Sequence, residues 1–105
     1  MTARRLILHP GVEQDLVAIV GYYRERDPQL PARFRARFKD QLDRLVLFPE
    51  SGAVLFDSYR RTRIHRFPYM AVYRVVDDRI DVLAVVGVRR DPAWIQATVS
   101  GRGDQ

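Results

Sequence analysis

The segment between residues 79 and 88 is apolar on both faces of an extended chain, which restricts the folds open to this sequence. Its apolar members are Ile80, Val82, Leu83, Ala84, Val85, Val86 and Val88. A strand that is buried on both faces belongs inside a sheet rather than at a solvated edge. The Asp77-Asp78 pair before it is typical of a tight reversal, and Tyr69 to Val76 precede that pair as another strand. The sequence therefore predicts a β-hairpin whose second strand is central.

Two amphipathic helices are predicted upstream of this hairpin, because apolar residues recur there at helical spacing. The apolar stripes are Val12, Leu16, Ile19, Val20 and Tyr23 in the first helix, and Leu30, Phe34, Phe38, Leu42 and Leu45 in the second. Asp27-Pro28 ends the first helix, because the residue before proline disfavours helical geometry. Phe48-Pro49 ends the second. The short connection between them predicts a helical hairpin.

The remaining segments complete an α+β fold. Arg4 to Leu8 is predicted as an N-terminal strand, and Arg60 to Phe67 as the strand before the β-hairpin. The predicted order is the N-terminal strand, the helical hairpin and then a three-stranded antiparallel meander, with the helices packed on one face of the sheet. Asp91 and Pro92 are typical of the start of a short C-terminal helix.

Length and composition limit the number of domains and the classes of site. With 105 residues the chain has room for one hydrophobic core, so residues 1–99 are predicted to form a single domain and residues 100–105 a polar tail. The Arg-Gly-Asp tripeptide in that tail is interpreted as coincidental. The chain has no cysteine, which excludes disulfides and thiolate metal sites, and no metal or cofactor is predicted.

The location expected for the chain is cytoplasmic. No apolar run reaches the roughly 20 residues that span a membrane, so no membrane association is expected. The apolar run before His9 is too short for the core of a signal peptide.

The charge of the chain favours acidic partners. The formal net charge is +5, and the positive charge is nearly all arginine, with Lys39 as the single lysine. Arginine presents a planar fork that suits phosphate and carboxylate groups. A bias in genomic base composition also explains an excess of arginine over lysine, so the ratio alone assigns no ligand. The net charge nevertheless indicates polyanions or acidic proteins as partners.

The arginine-rich strand before the β-hairpin is the first candidate binding site. Because side chains alternate along a strand, Arg61, Arg63 and His65 share one face, and Arg60 and Arg66 share the other. The first of these faces is expected to meet solvent, where it suits a phosphate or a carboxylate cluster. The alternative interpretation is an edge strand whose charges prevent aggregation.

The end of the last strand supplies further candidates. Arg89 is expected to complete an anion-binding concavity with Arg61 and Arg63. Arg90 and Trp94 follow it, and Tyr69 and Tyr73 share one face of the strand from Tyr69 to Val76. Aromatic side chains among arginines are able to stack on nucleic-acid bases. The alternative is that the aromatic residues belong to the core or its rim.

Support for acid–base catalysis is weak. His65 is the candidate proton carrier, but no carboxylate lies close to it in sequence to orient it. Glu50 and Asp57, in the loop before the sheet, remain candidate partners. The sequence contains no Ser-His-Asp arrangement, metal cluster or phosphate loop.

The helical hairpin, the basic strand and the segment from residue 66 to 92 together resemble the RelE/ParE superfamily of toxins from bacterial type II toxin–antitoxin systems. The resemblance extends from Arg5 to Ile95. Its most specific parts are Arg66-Phe67-Pro68-Tyr69, Tyr73-Arg74-Val75, Ile80 with Val82-Leu83-Ala84-Val85, and Arg89-Arg90-Asp91-Pro92. RelE-like members are ribosome-dependent mRNA endonucleases, whereas ParE-like members poison DNA gyrase.

The resemblance favours the ParE-like branch. RelE-like enzymes carry basic residues at the positions of Arg61, Arg63 and Arg89. Met70 stands where they use a transition-state arginine, and Gly87 where many relatives carry a histidine. Their C-terminal tyrosine falls near Trp94 or Ile95, neither of which transfers a proton. The chain thus keeps the charge stabilisation of a nuclease and lacks its proton-transfer groups.

The leading hypothesis is therefore a ParE-like toxin that binds DNA gyrase. The resemblance implies neutralisation by a cognate acidic antitoxin, whose C-terminal segment folds on the helical hairpin and the arginine side of the sheet. The alternative is a RelE-like mRNA interferase acting on the ribosome and its mRNA through Arg61, Arg63, His65 and Arg89. A third hypothesis is a degenerate, non-toxic relative that only forms complexes.

Overall fold

The computed structural model describes residues 4–104 and shows a five-stranded mixed sheet with helices on both faces. In chain order the elements are β1 (Arg5–Leu8), α1 (Pro10–Arg24), α2 (Leu30–Leu47), β2 (Ala53–Phe56), β3 (Tyr59–Arg63), β4 (Tyr69–Val76), β5 (Arg79–Gly87) and α3 (Pro92–Gly103). The strand order is β1-β5-β4-β3-β2. β1 pairs in parallel with β5, and the other neighbours are antiparallel. No helix within residues 4–104 is long and apolar enough to cross a membrane.

The β4–β5 hairpin lies where the sequence predicts it. Asp77 occupies the turn with a φ of 55°, a left-handed conformation that aspartate adopts more readily than most residues. β5 lies between β4 and β1, and its residues from Val82 to Val86 are all buried. The interior position predicted for this strand is confirmed.

The sheet differs from the predicted N-terminal strand and three-stranded meander in having five strands. β2, in a segment without a predicted element, pairs with β3. It is a short edge strand whose first two residues are exposed, so its sequence shows no clear alternation. β3 also ends earlier than predicted, at Arg63 rather than Phe67. The chain turns there, with Arg66 at a φ of 70°.

α1 and α2 form the predicted helical hairpin, which covers one face of the sheet. α1 begins at Pro10, a residue suited to a first turn, and the His9 side chain accepts a hydrogen bond from the Gly11 N–H at 2.9 Å. The predicted apolar stripes are buried, except that Leu30 is only partly buried, and they pack against sheet residues such as Tyr73 and Val82.

α3 lies on the opposite face and is longer than the short helix that was predicted. Asp91 Oδ1 accepts a hydrogen bond from the Ala93 N–H at 3.1 Å and caps the helix. Ile95 and Val99 pack on the sheet beside Met70. The prediction that the helices pack on one face of the sheet therefore holds for the helical hairpin and is wrong for α3. The sheet is apolar on both faces, so both faces need a helix to shield them from water. Residues 100–103, predicted as tail, belong to α3.

A partly buried ion pair joins the two helical layers across β5. The register of β4 against β5 shifts so that Leu83 is the additional residue of a β-bulge. Arg102 donates to the Leu83 carbonyl at 2.9 Å and to both carboxylate oxygens of Asp15, at 2.7 and 3.0 Å. Asp15 also accepts the Val85 N–H at 3.0 Å. The hydrogen bonds that the Arg102 guanidinium donates to Asp15 raise its pKa. α1, β5 and α3 are therefore tied together at one point.

Candidate partner-binding surface

A basic groove crosses the α3 face of the sheet, between β3 and the start of α3. It consists of two adjoining cavities of about 170 and 250 Å³, which share Arg61, Met70 and Val88 in their linings. Arg90 lines the first cavity and Arg63 the second. We call this feature the Met70 groove. Its walls combine guanidinium groups with an apolar floor, which suits an acidic partner that also presents apolar side chains.

The structure brings together some of the predicted arginines and separates others. Arg61 and Arg63 share a face, as predicted, and both are exposed. Arg90 rather than Arg89 lines the groove with them. Strand parity fails for Arg89 because β5 ends at Gly87, where the Arg90 N–H donates to the Gly87 carbonyl at 3.1 Å.

Arg60 lies on the helical hairpin face of the sheet and has a structural role. Its guanidinium donates to the Gly52 carbonyl at 2.8 Å and to the Glu50 carbonyl at 3.3 Å. These bonds hold the loop that leads into β2. Arg66 is also distant from the Met70 groove, since it lines a cavity beside α2 with Arg33.

His65 lies in the turn after β3 and not on the strand, and its side chain is exposed. It does not line either cavity of the Met70 groove. The ionisable residues that line the groove within residues 4–104 are all arginines, which do not give up a proton in proteins. The groove can hold and stabilise negative charge, but its described lining offers no group for acid–base catalysis.

The positions that carry catalytic residues in RelE-like relatives are apolar or empty here. Met70 is buried in the floor of the groove. A Cβ on Gly87 would contact only the Pro68 carbonyl oxygen, at 3.9 Å, so this position has open space and no packing reason to be glycine. Trp94 is 40% exposed, with the Arg90 guanidinium 3.8 Å from the centre of its ring. Ile95, in the first turn of α3, is buried against the sheet.

The tyrosines considered as base-stacking residues belong to the helical hairpin face. Tyr73 is fully buried, and its hydroxyl accepts the Gly52 N–H at 3.0 Å. Tyr69 joins an aromatic cluster with Tyr23, Phe34 and others. Burial raises the pKa of both Tyr69 and Tyr73. The alternative interpretation of these two residues, as core and rim, is confirmed.

Sequence reasoning missed the exposed apolar residues of the helical hairpin. Val17 and Tyr22 on α1 are 58% and 47% exposed, and Leu47 and Phe48 at the end of α2 are 63% and 56% exposed. All four lie outside the predicted buried stripes. An apolar residue outside such a stripe is the signal in the sequence that could have identified them as exposed. Exposed apolar side chains on neighbouring helices are suited to a protein interface.

Comparison with known proteins gives consistent matches over most of the chain. The family model described as "ParE toxin of type II toxin-antitoxin system, parDE" matches residues 6–92. Toxin ParE2 of two Mycobacterium tuberculosis strains, CDC 1551/Oshkosh and H37Rv, is 37% identical over 100 residues, which cover 94% of this chain and 95% of the relative. A solved structure described as the chromosomal ParDE TA system from P. aeruginosa has a TM-score of 0.72 at 21% identity, covering 81% of this chain and 96% of that one. The last match shows a shared fold.

Proposed function

Because this chain belongs to the ParE toxin family of type II toxin–antitoxin systems, we propose that it stops bacterial growth by binding DNA gyrase in the cytoplasm and that a cognate antitoxin neutralises it. The observation that carries this proposal is the composition of the Met70 groove. Its described ionisable lining residues are arginines only. Such a groove binds negative charge without supplying the base and acid that RNA cleavage requires.

The antitoxin interface combines the helical hairpin with the Met70 groove. Val17 and Tyr22 provide exposed apolar contacts on α1, and Arg61, Arg63 and Arg90 provide charge. An acidic antitoxin segment that is disordered when free would fold along this path and bury both kinds of surface. Neutralisation follows if the target needs the same arginines.

A pair of activity assays tests the proposal. The wild-type protein is expected to trap gyrase on DNA in a supercoiling assay, and to leave mRNA intact on a programmed ribosome. The Arg61→Ala/Arg63→Ala variant is expected to lose at least about tenfold in gyrase inhibition, since charge pairs at a protein interface dominate its specificity. Its matched control is Arg24→Ala/Arg35→Ala, which removes the same charge from exposed helix positions away from the groove.

The outcomes separate the three hypotheses. Site-specific mRNA cleavage that disappears in the Arg61→Ala/Arg63→Ala variant would contradict the gyrase proposal and support the RelE-like alternative. Normal growth on expression without antitoxin, together with no effect in either assay, would support the degenerate relative. Equal loss of gyrase inhibition in the variant and its control would show that net charge, and not the Met70 groove, carries the activity.

A further inference from the structure

A second basic concavity lies beside α2, away from the Met70 groove. It is a cavity of about 660 Å³ whose charged lining residues are Arg33, Arg37, Asp40 and Arg66. Arg33 donates one hydrogen bond to Gln29 Oε1 at 2.9 Å, and its remaining donors stay available. Within residues 4–104, Arg37 and Arg66 make no side-chain ion pair, so their charges are not neutralised internally. We call this feature the α2 pocket.

The backbone of Arg66 provides an independent indication that the α2 pocket is a binding site. Arg66 has a φ of 70°, in the left-handed region that glycine adopts freely and a long side chain adopts at a cost. Strained backbone at a non-glycine residue is typical of functional sites. This conformation places Arg66 in the lining of the same cavity as Arg33 and Arg37.

The arginines of α2 form a straight row along one side of the helix. Arg33 and Arg37 are four residues apart, and Arg44 continues the same side of the helix toward its end. Asp40 lies on that side between Arg37 and Arg44, so three positive charges share it with one carboxylate. The row extends about 17 Å at 1.5 Å per residue. Arginines that are spaced along one side of a helix suit the repeated phosphates of a nucleic-acid backbone.

The composition of the α2 pocket favours duplex DNA over other acidic ligands. None of the large exposed apolar side chains, such as Val17, Leu47 or Trp94, lines it. Its apolar lining is the partly buried Leu30, the buried Phe67 and the small Ala36, which give an acidic protein little surface for an apolar anchor. Single-stranded RNA is usually held by stacking on exposed aromatic rings, whereas Phe67, the one aromatic lining residue among those described, is buried. We therefore propose that the α2 pocket and the row beyond it bind the phosphate backbone of duplex DNA, a binding activity separate from the proposed contact with gyrase.

The test measures binding of the full chain to a short, fluorescently labelled DNA duplex of random sequence over a series of salt concentrations. The wild-type protein is expected to bind at low salt. The Arg33→Ala/Arg37→Ala/Arg66→Gly variant is expected to bind about tenfold more weakly, and its log–log salt slope is expected to fall by about 0.9 for each phosphate that the variant no longer neutralises. Arg66→Gly also relieves the backbone, so the thermal midpoint of that single variant is expected to be unchanged or higher.

The matched control is Arg24→Ala/Arg35→Ala/Lys39→Ala, which removes the same number of positive charges from exposed helix positions that do not line the α2 pocket. Equal weakening in both triple variants would overturn the proposal, and so would the absence of duplex binding at low salt. The proposal would also be overturned if the α2 pocket variant lost affinity for poly-glutamate or for single-stranded RNA but kept its affinity for the duplex. Because no gyrase is present, failure here leaves the gyrase proposal intact.

Discussion

Around β3, the two faces of the sheet use their polar side chains differently. On the helical hairpin face these groups bond inside the protein: the Tyr73 hydroxyl with Gly52, the Arg60 guanidinium with the loop carbonyls, and Gln41 with Thr62. On the α3 face Arg61 and Arg63 extend into the Met70 groove and are exposed. Adjacent arginines on one strand thus have opposite roles. Along β3, residue type does not separate a structural arginine from an arginine available for binding, whereas the face of the sheet does. Beyond β3 the division does not hold, because Arg74 on the α3 face donates to Asp81, Tyr59 and the Gly103 carbonyl.

Breaking the Asp15–Arg102 pair is expected to have the largest effect, because this pair joins the two helical layers. Arg102→Ala leaves the Asp15 carboxylate and the Leu83 carbonyl without their shared donor, and we expect a loss of about 2–3 kcal/mol. Asp15→Ala should cost a similar amount. Urea unfolding of both single variants and the double variant is expected to give a coupling energy of about 1–2 kcal/mol. Additive losses would show that the two helical layers are held independently.

The packing of α3 at its end is tested by two glycines of the same helix. A Cβ on Gly103 would collide with the Tyr59 hydroxyl, whereas a Cβ on Gly101 would meet nothing within 4 Å. Gly103→Ala is therefore expected to cost about 1–2 kcal/mol, and Gly101→Ala to stabilise by about 0.5–1 kcal/mol. Thermal unfolding measures both. Tyr59→Phe removes the hydroxyl with which the new Cβ would collide. If Gly103→Ala leaves stability unchanged, and adding Tyr59→Phe restores none, the end of α3 is not held against the sheet.

Alkaline pH tests the helical hairpin face. Burial raises the pKa of Tyr73 above its ordinary value of 10.0, so the folded state retains the phenol proton more strongly than the unfolded state. Its contribution to stability is complete below pH 10.0 and is lost as the pH rises through the raised pKa. Tyr73→Phe is expected to cost about 1 kcal/mol at neutral pH.

Unfolding free energies measured across the alkaline range check this prediction. The variant should lose less stability than the wild type as the pH rises. A partial decline remains expected in the variant, because burial also raises the pKa of Tyr23 and Tyr69. Identical pH profiles for the two proteins would contradict a buried Tyr73.

The smallest expected effect on stability comes from comparing two neighbouring arginines of β3 that lie on opposite faces of the sheet. Arg60→Ala removes the donor to the Gly52 and Glu50 carbonyls and is expected to cost about 0.5–1 kcal/mol. Arg61→Ala changes an exposed side chain and should stay within about 0.5 kcal/mol of the wild type. Gyrase inhibition is expected to show the reverse order, with the larger loss in Arg61→Ala. The same order in both measurements would remove the division into a structural and a binding face.

Much of the fold was accessible from sequence because strong periodicity reports burial directly. The stripes of α1 and α2 and the Asp77-Asp78 turn were all located correctly. β2 was not predicted because an exposed edge strand of four residues shows no clear alternation of apolar and polar side chains. The full length of α3 was not predicted because Gly101 and Gly103 are poor helix formers. The contact of Arg102 with Asp15 was not predictable from local sequence, since the two residues are 87 positions apart.

Local periodicity and short runs of residues were enough to assign the α+β class, the helical hairpin, the interior β-strand and the resemblance to the RelE/ParE superfamily. The family matches agree with that resemblance. The set of arginines that shares a groove became visible in the folded arrangement of the chain. It placed Arg90 beside Arg61, assigned Arg60 to the loop before β2, and moved Arg66 to the α2 pocket. These placements differ from strand alternation because β5 ends at Gly87 and because Arg66 adopts a left-handed turn, and both features depend on how distant segments pack together.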